Sequence, residues 1–152
     1  MKHAHHIDSL ESLKLVDEIM ISGGEPMLYP EFTEQVIRTL WEQGNPNRKI
    51  FLYTAFWNPM LNKLASEGLV QGIHYTLHDP LTNDDIRGFE FIQGVAVSLR
   101  DKVSFRAYID PNIKVQIPVN PQAWSRLEIK PWIDSGECEL PEDELFILDY
   151  DM

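Results

Sequence analysis

The residue types able to do chemistry in this chain are few and scattered. Glu25 follows Gly23-Gly24 and precedes Pro26, directly after the apolar-rich run Glu18 to Ser22. A carboxylate at a glycine-rich strand end is placed to take an amine or a backbone donor, because glycine lets a ligand approach the main chain closely. The same four residues also read as a turn in which Gly23 and Gly24 satisfy backbone geometry alone. His78 stands beside Asp79, a pairing that could orient an imidazole as a general base. Asp79-Pro80 equally reads as a turn, with His74 as a partly buried strand residue. Arg106 could hold a carboxylate or, by strand alternation, face solvent. A histidine at position 3, with His5 and His6, could bind copper through a free amino terminus, although a frayed terminus is the simpler expectation. Cys138 lies between Glu137 and Glu139, whose negative charge disfavours the thiolate, and it reads as an incidental thiol.

The elements that must position these residues alternate. Leu10, Leu13 and Val16 recur at helical spacing behind Asp8 or Ser9, which predicts a short helix over residues 8 to 16. The run EIMIS predicts a buried strand ending at the glycines. Phe32, Val36, Ile37, Leu40 and Trp41 then repeat every three to four residues until Gly44-Asn45-Pro46, a helix with its stop signal. KIFLYTAF (49–56) reads as a second strand, Met60 to Glu67 as a helix, and VQGIHYTL (70–77) as a third strand closing on His78-Asp79-Pro80. Asn83-Asp84-Asp85 could cap a helix running through Ile86, Phe89, Ile92 and Val95 to Leu99, weakened by Gly88 and Gly94. VSFRAYI (103–109) alternates as a fourth strand, and Ser125 to Ile129 could form another. Strand-helix alternation at this spacing predicts an α/β fold: a small, open, mostly parallel sheet built from βα repeats, with ligands expected at the carboxyl ends of the strands.

In that context the segment IMISGGEPMLYPEF (19–32) resembles the radical S-adenosylmethionine superfamily, whose second strand ends in a Gly-Gly-Glu-Pro loop. YTAFW and GIHYTLHDP resemble that family's third and fourth strand ends, so the similarity runs in order over roughly residues 15 to 110. The flavour is that of small members such as activating enzymes of anaerobic ribonucleotide reductase, and of short radical SAM-like proteins of T4-type bacteriophages. The resemblance implies that Gly23, Gly24, Glu25 and Pro26 form a vestigial S-adenosylmethionine loop, with His78 beside it, in a truncated partial barrel. It also implies a CxxxCxxC loop whose three thiolates hold an iron-sulfur cluster. This chain carries one cysteine, Cys138, more than 110 residues after the loop. A single thiolate cannot replace three, so no cluster, no reductive cleavage of the sulfonium and no cofactor are expected.

Length and charge narrow the remaining possibilities. At 152 residues with 43% apolar content the chain suffices for one core. A net charge of -11 argues against a broad grip on nucleic-acid phosphates or an anionic membrane. The opening residues lead into no apolar signal core, and no run approaches a membrane span, so the expected compartment is the cytoplasm, that of the host if the chain is phage-encoded. The expected division is an α/β domain over 1–133 and an acidic tail over 134–152, the latter with eight acidic residues and no Lys or Arg. That tail is either a solvated end or a docking segment presenting Phe146, Ile147 and Leu148, with Trp132 nearby, to a basic and apolar groove. Trp41, Trp57 and Trp124 could add to such a surface. The expectation is a catalytically silent protein that binds another protein, such as a cellular or host enzyme, with self-association as a further way to cover apolar surface. The alternative is a protein that still binds S-adenosylmethionine or a related nucleotide and does non-radical work.

Overall fold

The computed structural model describes residues 4–7, 9–113, 116–129 and 145–148, with side chains over 9–113 and 116–129. The chain runs β1 (Ala4–Ile7), β2 (Glu18–Ile21), α1 (Pro30–Glu42), β3 (Lys49–Thr54), α2 (Met60–Ser66), β4 (Gly72–Leu77), α3 (Asn83–Leu99), β5 (Ser104–Ile109), β6 (Arg126–Ile129) and β7 (Leu145–Leu148). Strands β2 to β6 form one sheet in the order of the sequence, every pair parallel. The α/β architecture expected from the strand-helix alternation is therefore present. β1 and β7 pair with each other in a separate parallel ribbon, Ala4 opposite Leu145 and Ile7 opposite Leu148. The apolar patch of the acidic tail is thus strand, and so is the segment of the N-terminus expected to fray. Trp132, Cys138 and His3 lie outside the described residues.

Strict sequence order has a physical consequence. Right-handed crossovers between successive parallel neighbours all fall on the same side of the sheet. Accordingly α1 packs on α2 and α2 on α3. A single core lies between these helices and one sheet face: Ile50, Leu52, Ile73, Tyr75, Leu77, Phe105 and Ala107 meet Ile37, Leu40, Leu61, Leu64, Phe89 and Ile92. The alternate residues of the same strands, among them Met20, Tyr53, His74, Arg106 and Tyr108, stand on the opposite face and are half-buried or exposed.

Local chemistry explains the element ends. Pro30 opens α1, where a fixed φ and a missing N–H are tolerated. α3 is one continuous helix despite two glycines, because Thr82 and Asp85 form a reciprocal capping box. The cap is therefore Thr82, one residue before the expected Asn83-Asp84-Asp85. Gln93, buried in α3, accepts from Asn120 N–H at 2.7 Å and from Trp124 Nε1 at 3.1 Å and donates to the Pro118 carbonyl at 2.8 Å. These three bonds fasten the connector to β6 onto the helix.

The helix expected over residues 8 to 16 contracts to a single 3-10 turn at Glu11–Leu13. The reason is Arg48, which is 4% exposed. Its guanidinium donates to the carbonyls of Val16, Leu40, Leu13 and Lys14 and to Gln43 Oε1, at 2.7 to 3.2 Å. The carbonyls that would continue the first helix instead solvate a buried cation, as does one at the end of α1, where the helix dipole also favours positive charge. Burial pulls the Arg48 pKa below its ordinary value, with nearby Asp17 opposing the shift. Replacing Arg48 by Ala should lower stability in urea unfolding by about 3 kcal/mol, since several buried carbonyls lose their donor at once. Arg48→Lys should recover less than half of that loss, because a compact ammonium cannot reproduce the five-donor fork.

Candidate functional site

The four strand ends that the topology brings to one edge of the sheet carry Gly23-Gly24-Glu25-Pro26 after β2, Ala55-Phe56-Trp57 after β3, His78-Asp79-Pro80 after β4 and Asp110-Pro111 after β5. The loop, the β3 end and the His78 segment are therefore gathered as the sequence implies. Gly23 adopts φ +80°, a conformation that glycine holds without strain. A side-chain carbon built on Gly23 or Gly24 would meet nothing within 4 Å, so both glycines face open space.

Glu25 points back into the chain. Its Oε2 accepts from Met27 N–H and from the Thr54 hydroxyl, both at 2.7 Å, and its Oε1 accepts from Ala55 N–H at 2.7 Å. One carboxylate thereby caps the 3-10 turn Pro26–Leu28 and ties the end of β2 to the end of β3. Pro26 is buried beneath this turn, its carbonyl taking the Thr33 hydroxyl of α1 at 2.8 Å. The donors that meet Glu25 are thus backbone and hydroxyl groups of its own chain.

His78 is half-buried beside an exposed Asp79, whose N–H donates to Asp110 Oδ2 at 3.4 Å; the Asp79-Pro80 peptide is cis. Asp79 and Pro80 form a bend between β4 and α3. Below the edge, Tyr75 is buried with its hydroxyl toward α3; burial, reinforced by the negative charges of Asp85 and Glu25, pushes its pKa well above the ordinary range, so the phenol stays protonated. Arg106 faces solvent on the opposite side of the sheet.

Two features were not visible in the sequence. On the sheet face opposite α1, α2 and α3, His74 stacks between Tyr53 and Tyr108, with centroids 4.7 and 4.5 Å away. Strand alternation puts each ring on that face, but only the pairing register makes them neighbours. At the strand-end edge, Leu28, Tyr29 and Phe56 are about half exposed. The tryptophans divide differently from the expected surface. Trp124 is buried against Phe89, Trp41 is half-buried with its Nε1 donating to the Leu69 carbonyl at 2.8 Å, and among the described tryptophans only Trp57 leads to an exposed ring, Phe91.

Among the described residues, shallow open depressions lie between Ser9–Lys14 and the end of α1, about 450 Å³, and between α2 and α3, about 340 Å³. Neither is lined by Gly23, Gly24, Glu25, Pro26 or His78. No helix among the described residues is long and apolar enough to cross a membrane. No protein-family model matches the chain, and neither a curated protein nor a solved structure matches it.

The Glu25 clamp predicts its own test. Glu25→Gln places an amide N–H₂ against donors and should lower stability by about 2 kcal/mol, whereas Thr54→Val, which removes one of the three bonds, should lower it by about 1 kcal/mol. Thermal unfolding followed by circular dichroism reads both values, and equal stability of Glu25→Gln and wild type would show that the clamp is not made in solution.

Proposed function

We propose that this protein is a catalytically silent relative of the radical S-adenosylmethionine enzymes that acts by binding another protein, modulating a cellular enzyme or, in a phage setting, a host enzyme. The observation that supports this most is the strand-end edge, where half-exposed Leu28, Tyr29 and Phe56 share one end of the sheet with Asp79, Asp84 and Asp110. Exposed aromatic side chains such as Tyr29 and Phe56 are of the type enriched at protein interfaces, and surrounding carboxylates select a partner with basic groups around an apolar centre. The silent chemistry rests on the composition of this chain, whose single cysteine cannot hold a cluster that needs three.

A tagged full chain should retain one stoichiometric protein from cell extract, more weakly at high salt. Phe56→Glu and Leu28→Glu should lose it while keeping the wild-type melting temperature, because both side chains are solvent-exposed. Absence of any stoichiometric partner, or one indifferent to both substitutions, would count against this reading.

The open space before Gly23 and Gly24 favours one second reading, in which S-adenosylmethionine lies along the loop backbone and Glu25 serves only to hold the loop in shape. Gly24→Trp is the discriminating variant, since its backbone does not require positive φ and its side chain has room. Calorimetric binding of S-adenosylmethionine that Gly24→Trp abolishes would establish this second function, and no heat from the wild type at millimolar ligand would remove it.

A further inference from the structure

The helix-covered side of the molecule holds a second, uncharged surface, which starts from Trp57 where the strand-end edge meets α3 and runs along α3. Trp57 is seated against α3 because residue 88 is glycine: a side-chain carbon there would stand 2.7 Å from Trp57 Cβ and 3.2 Å from the Tyr75 hydroxyl. So placed, the indole stacks on Phe91 with centroids 5.4 Å apart and planes 17° apart, yet Phe91 remains 59% exposed. Beside this pair runs the groove of about 340 Å³ lined by Trp57, Pro59, Asn62, Gly94, Val95 and Ser98 as well as Phe91. None of these residues is charged, in a chain where 24% of residues are.

Gly94 has no packing neighbour among the described residues that would require a glycine. It sits mid-helix, where glycine costs about 1 kcal/mol relative to alanine, and a side-chain carbon on it would meet nothing within 4 Å. Gly88 is required by Trp57, but Gly94 leaves the helix backbone bare toward the outside. A bare backbone patch is useful where another surface approaches closely.

We propose that this face is where two copies of the protein associate, pairing their α3 helices antiparallel across a two-fold axis, with each Phe91 seated over Gly94 and Ser98 of the other copy. Two observations select a second copy as the occupant. A two-fold contact needs knob and hole on the same element, and Phe91, Gly94, Val95 and Ser98 fall at the i, i+3, i+4, i+7 spacing that lines one side of a helix. The charges along α3 also complement themselves only when reversed. Asp84 and Asp85 occupy its first turn, Asp84 paired with Arg87 and Glu90 following, while Arg100, Asp101 and Lys102 follow its end, so the start carries a net -2 and the end a net +1, and antiparallel pairing sets these opposite net charges together and opposes the two helix dipoles. With -11 on every chain, copies repel elsewhere, and an uncharged stripe with complementary ends is where they can meet.

A contact made chiefly by one helix pair is small, so the dimer is a weak one and forms at high micromolar concentration. Sedimentation velocity of the purified full chain over a dilution series tests it. The expected result is a concentration-dependent monomer-dimer equilibrium that Phe91→Ser weakens at least tenfold. Gly94→Ala should raise the melting temperature of the monomer and yet weaken association, a combination that a merely structural glycine cannot produce. Asp84→Lys should also weaken the dimer and Asp84→Lys with Lys102→Asp should restore it, whereas Val97→Ser, exposed on the other side of the helix, should leave it unchanged. A strictly monomeric protein at hundreds of micromolar, or a dimer indifferent to both Phe91→Ser and Gly94→Ala, overturns the proposal. Phe91→Ser and Gly94→Ala leave Leu28, Tyr29, Phe56 and the acidic rim unchanged, so these two variants test dimerisation separately from capture of a foreign partner by the strand-end edge.

Discussion

A parallel sheet whose strands lie in sequence order cannot place helices on both faces, and most of this molecule follows from that constraint. Each crossover returns the chain to the next position on the same side. The helices accordingly touch in chain order, and the buried apolar side chains of the strands point toward them. The same rule gathers every βα loop at one edge and leaves the opposite face to half-exposed polar and aromatic side chains, the Tyr53-His74-Tyr108 stack among them. In this arrangement both the GGEP-type loop and the histidine face are consequences of one strand order.

Two ionised side chains fix β3 at its two ends. Arg48, just before the strand, gathers carbonyls from the first turn, the approach to β2 and the end of α1. Glu25, across from the strand's other end, gathers N–H groups and a hydroxyl from the two loops. Each charge is stabilised by groups of opposite polarity on the backbone rather than by an ion pair, which needs no second desolvated charge. The Glu25 clamp also bears on function. A carboxylate committed to three internal donors serves loop geometry, so any ligand at this edge would meet the glycine backbone and the acidic rim rather than a free general base.

Fold and function separate readily in α/β proteins, because the scaffold is stabilised by its core and the chemistry by a few loop residues. Here the core of the described residues is built from apolar side chains of the sheet and the helices. The surface offers apolar area in two places: an acidic-rimmed edge bearing Leu28, Tyr29 and Phe56, and an uncharged helical stripe around Phe91. The two differ in electrostatic setting, the first beside carboxylates and the second lined by uncharged residues.

Periodicity and punctuation in the sequence determined the strand-helix alternation, the extents of α1, α2 and α3 to within a residue or two, and the gathering of the Gly23 to Pro26 and His78 loops, since these depend on residues near one another along the chain. Long-range partners decided the rest. The first helix is cut to one turn because Arg48, more than thirty residues away, takes its carbonyls. The cap of α3 moves to Thr82 because a side chain and a backbone amide must meet in space. The stretch Leu145 to Leu148 is strand only through Ala4 to Ile7, which no local pattern could show. The inward turn of Glu25, the histidine between two tyrosines and the open side of Gly94 all depend on register and close approach between distant segments. A one-dimensional pattern specifies which face a residue occupies, and only the folded chain specifies what stands opposite it.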